Sequence, residues 1–208
     1  DRLGVNYIDN TELLYEKTAS GEMVFNKQYD AGHWNDLGAF YGTNHMLEAL
    51  SKIQDGVHIN AKDEFEIGTE IKTTLQQSEF RIHDEAPVFT RKQEVTDFTE
   101  TYSGEVARNP QYPYFRYTVN AQRQKEGAPK ALIFQGSYMN VYGAKFLENS
   151  FGEYIAVHDY QNVMNIDYYF NIFQPDCVIL EAAEYAMLDD YFSFEVMAAM
   201  DLNPALES

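Results

Sequence analysis

ALIFQGSY, residues 131–138, is the stretch on which the fold turns. Four apolar residues, Ala131 to Phe134, make a compact buried strand. Gln135 and Gly136 then break the run, Ser137 follows at once, and Val141–Asn149 has helical potential. Strand, sharp glycine turn, serine and helix together present a hydroxyl at the carboxyl end of a strand, where open α/β sheets bind their ligands. The backbone N–H groups of a helix start can also stabilise an oxyanion there. Gly-Ser after a strand is, however, a common turn, so Ser137 needs a base from elsewhere.

The base is upstream, in VFNKQYDAGHWNDLG, residues 24–38. Asp30 and His33 stand three apart on a short segment after the apolar run Met23–Phe25. A carboxylate folded back onto one imidazole nitrogen leaves the other free to take a proton from a nucleophile. Asn35, Asp36 and Gly38 carry the chemistry of a helix start, and Leu37, Phe40, Tyr41, Leu47 and Leu50 recur at helical spacing, predicting a helix over 35–53. An isolated D-x-x-H is more often a packed loop than a relay. A rival pair, His158-Asp159, stands at the end of a second strand (Tyr154–Val157), but neighbours on a strand point to opposite faces.

The rest of the chain fits an α/β domain. Ile166–Phe173 reads as a helix, and Cys177–Leu180 as a third strand followed by Glu181-Ala182-Ala183-Glu184. Strands are expected at Gly4–Asp9 and Met23–Asn26; Thr11–Glu16 fits a strand or a short helix. Residues 57–128 read as a β-rich insertion, with strand pieces at Val57–Ile59, Phe65–Ile67, Ser78–Ile82, Val88–Thr90 and Phe115–Val119. Tyr102, Tyr112, Tyr114, Phe115 and Tyr117 gather aromatic surface there, for packing or for stacking on sugar rings. Residues 191–208 are expected to dock on the core. One domain over 1–208, with the insertion inside it, suits 208 residues.

Composition narrows the function. With 15 basic and 33 acidic residues the net charge is −18, which disfavours nucleic acid and anionic membrane as partners. No apolar run approaches the length of a membrane span. The single cysteine, Cys177, cannot form an internal disulfide, and no C-x-x-C, H-E-x-x-H, calcium-loop or phosphate-cradling pattern is present, so neither metal nor cofactor is expected.

The block Asp30-Ala31-Gly32-His33-Trp34 resembles the Asp-x-x-His block of the SGNH (GDSL-like) hydrolase superfamily. The Trp after the His, and the position of the block before the nucleophile, resemble its circularly permuted branch, the DHHW and alginate O-acetyltransferase-like proteins. The Pro175-Asp176, apolar strand and Glu-x-x-Glu order is similar to that branch as well. The resemblance covers roughly 20–55 and 130–190. It implies a three-layer α/β/α, flavodoxin-like parallel sheet, an extracytoplasmic location, and a serine esterase or O-acetyltransferase acting on acylated carbohydrate. Ser137 would be nucleophile, His33 base and Asp30 its orienting partner, with Trp34, Tyr138 and Glu184 facing substrate. The family's nucleophile block is Gly-Asp-Ser; here Gln135-Gly136-Ser137 stands in its place, and no oxyanion glycine or asparagine block is identifiable. The other reading is a catalytically inactive, polysaccharide-binding or cell-surface assembly protein on the same fold.

Overall fold

The computed structural model describes residues 4–187 and 191–192. In chain order its elements are α1 (Thr11–Ala19), α2 (Asp36–Leu50), β1 (Phe65–Thr74), β2 (Arg81–Arg91), β3 (Thr96–Asp97), α3 (Thr99–Tyr102), β4 (Phe115–Val119), α4 (Ala121–Lys125), β5 (Lys130–Gln135), α5 (Ala144–Ser150), β6 (Glu153–His158), α6 (Ile166–Phe173) and β7 (Cys177–Leu180). A wide π-type turn, Met139–Gly143, precedes α5.

The main sheet has five strands in the order β3-β4-β6-β5-β7. β5 runs parallel to both neighbours, in register from Lys130↔Glu153 to Gln135↔His158 on one side and from Ala131↔Cys177 to Phe134↔Leu180 on the other. β4 is antiparallel to β6 and to β3. Ala131–Gln135 is buried throughout, as a central strand covered on both faces requires. Alternation along β5 and β6 divides two cores. Ala131, Ile133, Tyr154 and Ala156 pack with Ala39, Phe40, Leu47, Phe146 and Leu147 from α2 and α5. Leu132, Phe134, Ile155 and Val157 pack with Tyr168, Tyr169 and Phe173 of α6. Helices therefore cover both faces, the three-layer α/β arrangement expected from β5, β6 and β7.

Several expected elements differ. Met23–Asn26 adds no strand to the sheet; it makes one isolated bridge, Phe25↔Trp34. Its carbonyls are taken by Asn35, whose N–H reaches Val24 O at 3.1 Å and whose amide reaches Met23 O at 2.7 Å. Gly4–Asp9 and Val57–Ile59 are irregular, because their short alternations have no partner strand, and Thr11–Glu16 is helical. The stretch 57–128 is not one insertion. β1 and β2 form an antiparallel hairpin (Phe65↔Arg91), whereas β4 belongs to the main sheet, held by burial of Phe115 and Thr118. The expected terminal segment, 191–208, lies outside the described residues apart from Tyr191 and Phe192, whose rings stand 4.7 and 5.7 Å from that of Tyr160.

Candidate active site

The carboxyl ends of β5, β6 and β7 lie side by side, and Ser137 is the first helical residue after β5. Opposite it comes the 26–35 segment, fixed by a set of local contacts. Asn35 caps α2, accepting from the N–H groups of Leu37 and Gly38, both at 3.0 Å. A Cβ at Gly38 would stand 2.2 Å from Val24 O, so only glycine allows the loop to close against the helix. Asp84 of β2 accepts from Gln28 N–H and Tyr29 N–H, both at 2.8 Å, tying the loop to the hairpin.

On this frame the structure brings Asp30, His33 and Ser137 together. His33 Nδ1 is 2.8 Å from Asp30 Oδ1, and His33 Nε2 is 2.7 Å from Ser137 Oγ. With Nδ1–H donating to Asp30, Nε2 is the acceptor for the serine hydroxyl. Asp30 and His33 are mostly withdrawn from water, with 11% and 21% of their side chains exposed, and Ser137 is half-buried. The order along the chain is that of a relay: carboxylate, imidazole, hydroxyl.

Aromatic residues hold the imidazole in place. Tyr138 lies 4.8 Å from the His33 ring and donates its hydroxyl to Gly32 O at 2.5 Å. Tyr142 stands on the other side, 6.3 Å from His33, with its hydroxyl 3.4 Å from Asp30 Oδ2. Burial, reinforced by the Asp30 charge, pushes the Tyr142 phenol up to about 12.

No family model and no curated protein sequence matches the chain. Solved structures do. Bacillus cereus PatB1 superposes with a TM-score of 0.61 at 14% identity, covering 88% of this chain and 69% of PatB1. PatB1 with a sulfonyl adduct gives 0.60 at 16%, covering 87% and 69%. A DHHW family protein from Eubacterium siraeum gives 0.56 at 16%, covering 82% of this chain and 62% of that one. The fold is SGNH-like.

Other sequence-derived site residues fall differently within this SGNH-like fold. Trp34 is only 4% exposed, and its indole N–H is given to Tyr138 O at 3.0 Å, so it anchors the loop in the core and offers no face to a substrate. Glu184 is exposed, in a short turn past β7. The acid that reaches the nucleophile turn is Glu181, whose Oε2 accepts Gly136 N–H at 2.8 Å. Burial, reinforced by the nearby Asp159 charge and opposed by the Gly136 N–H, pushes Glu181 up to about 7. Both carboxylates belong to the tail that sequence reading singled out; β7 ending at Leu180 put the first of them, not the second, at the cleft.

His158 Nδ1 approaches Asp159 Oδ1 to 3.0 Å without hydrogen-bond alignment, Asp159 standing just past the end of β6. Its ring packs against Tyr112 and Tyr160, at 5.0 and 4.3 Å. Beyond it a groove of about 610 Å³ is lined by Arg108, Tyr112, Tyr114 and Phe115, among others. Of the remaining aromatics, Tyr102 and Tyr117 pack on each other at 5.2 Å and close on Phe98.

Proposed function

We propose that this protein is a serine esterase or O-acetyltransferase acting on acylated carbohydrate through Ser137, His33 and Asp30. The observation that carries the reading is the pair of contacts made by His33, 2.8 Å to Asp30 and 2.7 Å to Ser137. The acyl chemistry and the carbohydrate come from the resemblance, and the fold shared with PatB1 and the DHHW family protein is compatible with it. The extracytoplasmic site of action is likewise part of the proposal, carried by the resemblance alone.

Ser137 Oγ attacks the acyl carbonyl carbon while its proton passes to His33 Nε2. The imidazolium that forms is paired with Asp30. Negative charge develops on the carbonyl oxygen, for which the Ser137 N–H, at the start of its helix, is one donor. Collapse breaks the ester C–O bond, and the leaving alkoxide takes the proton back from His33. The acyl-serine is then attacked by water or by a sugar hydroxyl, with His33 again as base. The acceptor decides between esterase and transferase.

The test is intact-protein mass spectrometry after incubation with a serine-directed fluorophosphonate. One adduct is expected on the wild type and none on Ser137→Ala or His33→Ala. A folded wild type that takes no adduct would overturn the reading.

A further inference from the structure

The hollow beside Gly136 holds two carboxylates contributed by neighbouring strands. Glu181, at the end of β7, donates its own N–H to Phe134 O at 2.8 Å and accepts Gly136 N–H on Oε2. Asp159, at the end of β6, donates its N–H to Gln135 O at 3.1 Å. Its side chain is 0% exposed, and among the described residues neither carboxylate oxygen has a hydrogen-bond partner. A Cβ placed on Gly136 would lie 3.6 and 3.8 Å from the two Asp159 oxygens and 3.7 Å from Glu181 Oε2. Both acids therefore close on the side of residue 136 where a side chain would project.

We propose that Glu181, with Asp159 behind it, is the positioning residue of the nucleophile, fixing the Gly136 peptide from across the sheet and so the aim of Ser137. The proposal rests on Ser137 being the nucleophile. A glycine before the serine leaves the turn free to adopt many backbone conformations. Two contacts remove that freedom: Gly136 N–H goes to Glu181, and Gly136 O accepts from Asn140 N–H at 3.0 Å. The Ser137 N–H, one peptide further on, is thereby aimed with its hydroxyl. A misplacement of about 1 Å at such a site costs on the order of 100-fold in rate.

Asp159 gives the arrangement a pH signature. The Asp159 charge, facing the same hollow, adds to the burial that raises the Glu181 carboxyl. The other titratable groups around them are Tyr138 after β5, His158 and Tyr160 on either side of Asp159, Tyr185 after β7, and Asp30 across the cleft. Ionised Glu181 accepts the Gly136 N–H more strongly than its acid form. The rate at Ser137 therefore rises with pH through the Glu181 ionisation.

The experiment measures the fluorophosphonate labelling rate of the full chain against pH, for wild type, Ser137→Ala, Glu181→Ala, Glu181→Gln and Asp159→Asn, with thermal unfolding of each. Glu181→Ala is expected to slow labelling about 100-fold. Glu181→Gln, which keeps an oxygen acceptor, is expected to recover to within about fivefold of wild type. The acid limb of the wild type carries one ionisation more than that of Glu181→Gln, and in Asp159→Asn that limb moves to lower pH. Labelling of Glu181→Ala at the wild-type rate, or identical pH profiles for wild type and Glu181→Gln, overturns the positioning role while leaving the nucleophile in place. A wild type without adduct, or Ser137→Ala labelled as fast as wild type, overturns the nucleophile first and this role with it.

Discussion

At the scale of single residues, the site carries one acid at a cost to stability. Glu181 has its ordinary value of 4.5 raised to about 7, chiefly because burial disfavours the charged form. A carboxyl raised on folding stabilises the native state fully only below its unfolded value. That stability is lost as pH climbs through the folded value, here between about 4.5 and about 7. At pH 8 the ionised carboxylate should cost on the order of 2–3 kcal/mol relative to pH 4.5. Glu181→Gln has no such charge to bury. Its unfolding free energy relative to wild type is therefore expected to rise as pH goes from 4.5 to 8, as urea titrations at the two pH values would measure. A constant difference across that range would mean that Glu181 ionises as freely in the fold as outside it. Gain of stability together with slower labelling is the usual exchange where a site keeps a strained or charged group for its chemistry.

At the scale of elements, the 26–35 loop is held by its neighbours more than by its own conformation. Asn35 serves two purposes: its oxygen caps α2 and its amide nitrogen binds Met23 O, so the helix start and the loop exit share one side chain. Asn35→Ala should lower stability by about 1–2 kcal/mol through the lost cap. It should also slow labelling of Ser137, because His33 stands two residues away on the same clasp. Thermal unfolding and labelling rate, measured on one preparation, check both. A destabilised variant labelled at the full rate would show that Tyr138 and Tyr142 hold the imidazole without the loop. This element also marks where sequence reading works and where it stops. The Asp30–His33 spacing and the Ala131–Ser137 strand and turn are local, and the structure joins them at 2.7 Å. Met23–Asn26 carried the composition of a strand, but which carbonyls Asn35 would claim is decided by the close approach of Gly38 to Val24. Phe115–Val119 alternates like its hairpin neighbours, and only pairing with β6 assigns it to the main sheet. Glu181 and Glu184 differ by one turn of chain, and the last residue of β7 decides which of them meets Gly136.

At the scale of the whole molecule, charge is the dominant fact. A net charge of −18 over the 208-residue chain gives a negative field that reaches well beyond the cleft. The cleft itself adds Asp30, Asp159 and Glu181. The arginine lining the adjacent groove, Arg108, donates to Pro113 O and Ser103 O, at 2.8 and 2.6 Å, and keeps its positive charge, which is small against the net −18 of the chain. An approaching anion is therefore repelled over a distance set by the salt. The Debye length is about 30 Å at 0.01 M and about 10 Å at 0.1 M, so raising the salt tenfold removes most of the long-range term. Turnover of a neutral acetyl ester should be nearly independent of salt over that range. An ester carrying a carboxylate should gain several-fold in kcat/KM, since screening lifts the barrier to its encounter with the site. The comparison needs both esters on one enzyme preparation, so that salt effects on the fold cancel. A carboxylate ester that loses turnover as salt rises would reverse the sign, and would place an attractive positive surface at the mouth of the site. Arg108 would be the first residue to change, because removing its guanidinium alters the one arginine or lysine among the described residues lining that groove without touching Ser137, His33 or Asp30.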